Sequence, residues 1–127
     1  MNPMDAFNTV AVANKGRKLP LLLPDGSPSE HYLIVGHVYA DAFRAKSEQI
    51  EREFAEAKFG DDAMAAKKFM DDNRPVLLAS LIYGWSFEKE CTPENVAAFL
   101  KTAPQIMAKV DEYAGSTAFF FGNEPVS

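Results

Sequence analysis

Cysteine is nearly missing from this sequence. Cys91 stands alone in 127 residues, which excludes an intramolecular disulfide framework and suits a reducing compartment. Histidine is almost as scarce: His31 and His37 are the only two, and no cysteine or close carboxylate completes a zinc set around them. Positive charge is the minority sign, with 13 Lys and Arg against 18 Asp and Glu and a formal net charge of −5. A phosphate-backbone ligand needs clustered cations, but Lys15-Gly16-Arg17-Lys18 and Lys67-Lys68 are the densest groups and neither continues along a helix face. Nucleic acid is therefore not an expected partner. No apolar run approaches the ~20 residues of a membrane span. The opening MNPMDAFNTV has an acid, Asp5, as its first charged residue and lacks a long apolar stretch, unlike a signal peptide. The expectation is an acidic intracellular domain without a membrane partner.

Catalytic signatures are missing too. There is no Walker loop, no GxGxxG and no GxSxG. Asp61-Asp62 and Asp71-Asp72 are adjacent pairs whose side chains do not converge on a helix, and they lack the oxygen spacing and closing Glu of an EF-hand. Glu88 and Glu90 beside Cys91 raise a thiol pKa, while a helix start just after it acts the other way; an inert thiol is expected. No catalytic residue, metal ligand or cofactor is assigned, and the chain is read as a non-enzyme.

What is present fits one domain over residues 1–127, 47% apolar and 24% charged, near the globular average. Ten Phe residues are generous for so small a core, which leaves some to face a partner. Residues 1–16 are weakly patterned and read as an arm that either extends along a neighbour or stays mobile. Lys18 to Leu23 is apolar but interrupted by Pro20, as suits an edge strand. The turn formers of PDGSPS (24–29), with Gly26 free to take a positive φ, then lead to His31-Tyr32-Leu33-Ile34-Val35, completing a β-hairpin.

From about Ala40 the period changes. Phe43, Ser47, Ile50, Phe54 and Ala57 alternate spacings of four and three, the stripe of an amphipathic helix, with Gly60 as its expected stop. Residues 61–72 predict a shorter, exposed helix or a mobile connection. Pro75 is placed in the first turn of a new, buried helix through VLLASLIY, ending at Gly84. Thr92, Pro93 and Glu94 mark the next start as N-cap, N1 and first-turn acid, with Val96, Phe99 and Leu100 facing inward. Thr102-Ala103-Pro104-Gln105 has the form of a capping box before the stripe Ile106, Met107, Val110, Tyr113 and Ala114, with Gly115 as the stop. The fold class is mainly α, an N-terminal β-hairpin followed by a small bundle of about four to five helices.

Two aromatic groups stand out as candidate partner contacts. Trp85 and Phe87 fall between the buried helix and the capped one, where they either wedge the helix junction or form an interface hot spot. Phe119, Phe120 and Phe121 lie in a Phe-rich tail, 116–127. Three consecutive rings cannot all point inward from one regular element, so the tail folds back or at least one ring is covered by another molecule.

The order of these elements resembles the tail assembly chaperones of long, non-contractile-tailed (siphovirus-type) bacteriophages. The likeness covers roughly residues 17–122: the hairpin, YADAFRAKSEQIEREF, YGWSF, CTPENVAAFLKTAPQIMAKVDEYA and the aromatic end. The resemblance implies a protein that binds and solubilises the tape measure protein and helps bring tail tube subunits to it. It implies a homo-oligomer, ring or spiral, in the host bacterial cytoplasm and missing from the mature virion. It also implies a longer product made by ribosomal frameshifting, whose extra domain contacts the tail tube protein, this chain being the short product. The alternative is a structural tail or connector component retained in the virion; a weaker one is a regulatory adaptor of bacterial origin.

Overall fold

The computed structural model describes residues 3–116. A 3-10 turn (Pro3–Phe7) leads into α1 (Thr9–Lys15). The weakly patterned start thus holds a helix, and its interactions show why. Asn8 caps it by accepting from the Ala11 N–H at 3.1 Å. Ala13 is fully buried, and Asn14 exchanges two 2.9 Å hydrogen bonds with Asp41. Gly16, at φ +75, turns the chain into the sheet, and a Cβ there would stand 2.9 Å from the Tyr83 ring. Positive φ and close approach both call for glycine.

The hairpin forms as expected from β1 (Arg17–Leu22) and β2 (Pro28–Val35), paired antiparallel from Arg17↔Val35 to Leu22↔Pro28. Gly26 takes φ +88 at its turn, and Asp25 Oδ1 accepts from the Ser27 N–H (2.9 Å) and Oγ (2.6 Å). Pro20 lies on the edge strand of a sheet ordered β1-β2-β3, where its missing N–H breaks no internal ladder.

The third strand corrects the sequence reading. The helix expected to run to Gly84 stops at Ala79, and β3 (Ile82–Trp85) pairs antiparallel with β2 through Leu33↔Trp85 and Ile34↔Gly84. A short apolar run satisfies strand and helix equally; the open edge of β2 decides, and Gly36 N–H bonds to Leu81 O at 2.7 Å where the chain enters the sheet.

Two 17-residue helices follow different rules from those expected. α2 (Asp41–Ala57) ends on Lys58, which takes the left-handed C-cap at φ 51, while Gly60 serves the turn beyond. α3 runs unbroken over Ala63–Ala79 with Pro75 inside it, so residues 61–72 are neither a separate helix nor a loose connection. Asp62 caps its start by accepting from the Ala65 N–H at 3.1 Å, and Lys67–Asp71 and Lys68–Asp72 ion pairs of 2.6 Å support the first turns. An interior proline costs about 3 kcal/mol; here Pro75 is buried with Leu78 and Ala79 in the part of α3 that meets the core, and this burial offsets the cost.

α4 (Pro93–Thr102) starts as the sequence predicts, with Thr92 Oγ1 accepting from the Asn95 N–H at 3.1 Å. α5 (Pro104–Ala114) does not use the expected capping box. Its N-cap is Ala103, without a side-chain bond, because Thr102 still belongs to α4 and its Oγ donates back to Phe99 O at 2.9 Å. The molecule is mainly helical over a small antiparallel sheet. Among the described residues, Leu33, Val35, Leu81, Val96, Leu100 and Val110 are the largest fully buried apolar side chains. Removing the Thr92 hydroxyl with Thr92→Ala is expected to cost about 1 kcal/mol, read as a fall of roughly 4 °C in Tm with the far-UV spectrum retained.

Candidate aromatic interface

Trp85 closes β3, and Phe87 follows two residues on in the bend beyond it, where the two rings meet. Ser86 fastens the strand end: its N–H donates to Tyr32 O (3.1 Å), and its Oγ accepts from Tyr32 N–H and meets His31 Nδ1, each at 2.9 Å. Phe99 of α4 closes the group. Trp85 meets Phe87 at 5.2 Å and Phe99 at 5.9 Å between centroids, both edge-to-face, and Phe87 meets Phe99 at 5.2 Å. His31 stacks on Phe87 at 4.6 Å. Such pairs contribute about 0.5–1.5 kcal/mol each beyond area burial.

The three rings border a surface hollow of about 440 Å³ with Lys89, Asn95, Ala98 and Thr102. Its nearest polar groups are already engaged. Trp85 Nε1 donates to Lys89 O at 2.7 Å and Asn95 Nδ2 to Glu90 O at 2.9 Å, closing the 86–92 connection over the start of α4. Half-exposed ring surface remains, suited to an apolar side chain with a polar rim around it. The two readings of Trp85 therefore meet in one residue, which wedges β3 against α4 and also borders an open hollow.

Of the expected contact residues, Trp85 and Phe87 come together. Phe119, Phe120 and Phe121 lie outside the described residues. Phe99, read from the sequence as purely inward, belongs to this group, as does His31. A second aromatic group escaped the sequence reading altogether. Phe54, Phe59 and Phe69 meet at 5.2–5.7 Å where α2 turns into α3, with Phe59 contributed by the turn itself.

Burial pushes the Cys91 thiol pKa up, away from nucleophilic reactivity. His31 and His37 have separate surroundings, His31 on Ser86 and Phe87, His37 in the turn before α2 with Nδ1 accepting from the Tyr39 N–H at 3.1 Å. Among the described residues no group of three His, Cys, Asp or Glu is arranged to hold a metal ion, and no helix is long and apolar enough to cross a membrane.

His37 is 2% exposed, and burial lowers its pKa from the ordinary 6.5. The unfolded chain then binds more protons than the folded one as pH falls below 6.5, so this contribution is complete above that value and is lost as pH drops toward the folded pKa. His37→Asn keeps an acceptor for the Tyr39 N–H and cannot titrate. Urea midpoints at about pH 7.5 and pH 5.5 are expected to differ more in the wild type than in His37→Asn; equal differences would remove His37 as the cause. The chain matches no family model, no curated protein and no solved structure.

Proposed function

We propose that this chain is a tail assembly chaperone of a long non-contractile-tailed phage, acting by binding and not by catalysis. It holds the tape measure protein soluble in the host cytoplasm, self-associates around it as a ring or spiral, and leaves before the virion is complete. A longer frameshift product of the same gene recruits the tail tube protein. The observation that carries this reading is the open aromatic hollow of Trp85, Phe87 and Phe99. A tape measure protein presents long apolar helix faces, and an apolar hollow with a polar rim is how a binding surface receives such a face. The neighbouring bundle carries acidic charge, with Glu48, Glu51, Glu53 and Glu56 exposed on α2, which keeps an apolar-binding protein from aggregating. The resemblance of residues 17–122 to such chaperones supplies the partner's identity.

Co-expression with the tape measure protein tests the reading. The expected result is a soluble complex and concentration-dependent oligomers by light scattering. A strict monomer with no effect on tape measure solubility would overturn it. Mass spectrometry of purified virions separates the alternative, because a retained structural or connector component is present there in stoichiometric amount. The gene tests the frameshift: a slippery uridine run at the Phe119–Phe121 codons and an open overlapping frame downstream are expected.

A further inference from the structure

Among the described elements, the 3-10 turn Pro3–Phe7 is the one that contributes no buried residue. Phe7 is 82% exposed, the barest aromatic ring among the described residues. So large an apolar surface gains by leaving water, yet the turn is held where it stands. Asn8 N–H donates to Asp5 O at 3.2 Å, which ties the turn to α1. α1 is braced in its own right. Ala13 is fully buried, Ala13 O accepts from Tyr83 OH at 3.1 Å, and Asn14 bonds to Asp41 at 2.9 Å. The fold thus presents Phe7 outward on a fastened helix, with Asp5 and Met4 exposed beside it.

We propose that Phe7 of one copy seats in the Trp85–Phe87–Phe99 hollow of a second copy. The hollow's walls are rings that already meet one another edge-to-face or tilted, the arrangement that a further aromatic ring extends. Charge selects the same occupant. Of the residues lining the hollow only Lys89 is charged; Glu88 and Glu90, beside it in the chain, do not line it. Asp5, two residues before Phe7, supplies an acid for that basic rim. The groove between α2 and the α3–α4 pair suits this turn less well, because it has no aromatic wall and carries Glu94 as well as Lys46. A chain does not fill its own hollow with Phe7, since the ring stays exposed while its turn is bonded to α1. Ring and hollow are different surfaces, so copies either exchange turns in a pair or add in series. The inference rests on the reading of the hollow as a binding surface, but its partner is this chain itself and its test needs no phage protein.

Trp85 is the only Trp in the sequence and lines the hollow, so its fluorescence reports what enters there. Indole emission moves to shorter wavelength as water leaves the ring. The experiment follows emission and mass by light scattering together, over a dilution series of the full chain and of Phe7→Ala. In the wild type both are expected to change over the same concentration range, emission moving to shorter wavelength as mass rises. Phe7→Ala, which removes no buried group, is expected to keep the urea midpoint and to raise the dissociation constant about thirtyfold, as loss of a central interface ring does. A wild type that stays monomeric overturns the proposal. So does a rise in mass with Trp85 emission constant, which places the contact elsewhere. Equal changes in wild type and Phe7→Ala overturn it as well, and give the hollow to another segment of the second copy.

Discussion

Leu100→Ala is expected to destabilise the protein by about 3–5 kcal/mol, the largest single effect we anticipate. Leu100 is fully buried on α4, in the same apolar cluster as Leu33 and Val35 of the sheet, Leu78 of α3 and Val110 of α5. The cost has two parts: the transfer free energy of the lost carbons and the cavity left where three layers meet. Relaxation cannot close that cavity cheaply, because α4 is held at one end by the Thr92 cap and at the other by the immediate turn into α5. Domains of this size are stable by only about 5–15 kcal/mol, so the variant loses a large share of its margin. Urea unfolding checks this as a lower midpoint with an unchanged m-value. A loss below about 1 kcal/mol would show that the packing of α4 against α3 and the shared apolar cluster is not the centre of the fold.

The parts of the fold legible in the sequence are those that local chemistry decides. The hairpin follows from Asp25, Gly26 and Pro20, whose turn and edge preferences need no distant partner. The start of α4 follows from Thr92 and Pro93, and the buried stripes of α4 and α5 from Val96, Leu100, Ile106 and Val110 at helical spacing. The misreadings occur where a distant element wins. Residues 82–85 look like the end of a helix until the open edge of β2 is available. Pro75 looks like a helix start because proline favours N1, but Asp62 caps the helix earlier and the burial of Pro75 with Leu78 and Ala79 carries it through. The Thr102 capping box fails because α4 and α5 are separated by Ala103 alone, which leaves Thr102 inside α4. The aromatic interface is half legible for the same reason. Trp85 and Phe87 are legible as two large aromatic residues side by side in one short connection, whereas the arrival of Phe99 depends on how α4 packs.

Trp85 is where stability and binding can be separated. Trp85→Ala is expected to destabilise by about 2–4 kcal/mol, near the lower end for deletion of a large core ring because the indole is only half-buried. Its edge-to-face contacts with Phe87 and Phe99 are lost, as is the bond from Nε1 to Lys89 O that closes the 86–92 connection. The stranded carbonyl belongs to an exposed residue, so water replaces that partner and the bond itself adds little. Most of the loss is ring packing between β3 and α4. Trp85→Phe retains that packing while removing the indole N–H and narrowing the surface presented at the hollow. It is therefore expected to recover more than half of the lost stability in urea. If the hollow receives the tape measure protein, Trp85→Phe should fold and yet hold less of that protein soluble in co-expression than the wild type does. Full solubilising capacity in a folded Trp85→Phe protein would confine Trp85 to wedging the strand against the helix and move the binding surface elsewhere on the bundle.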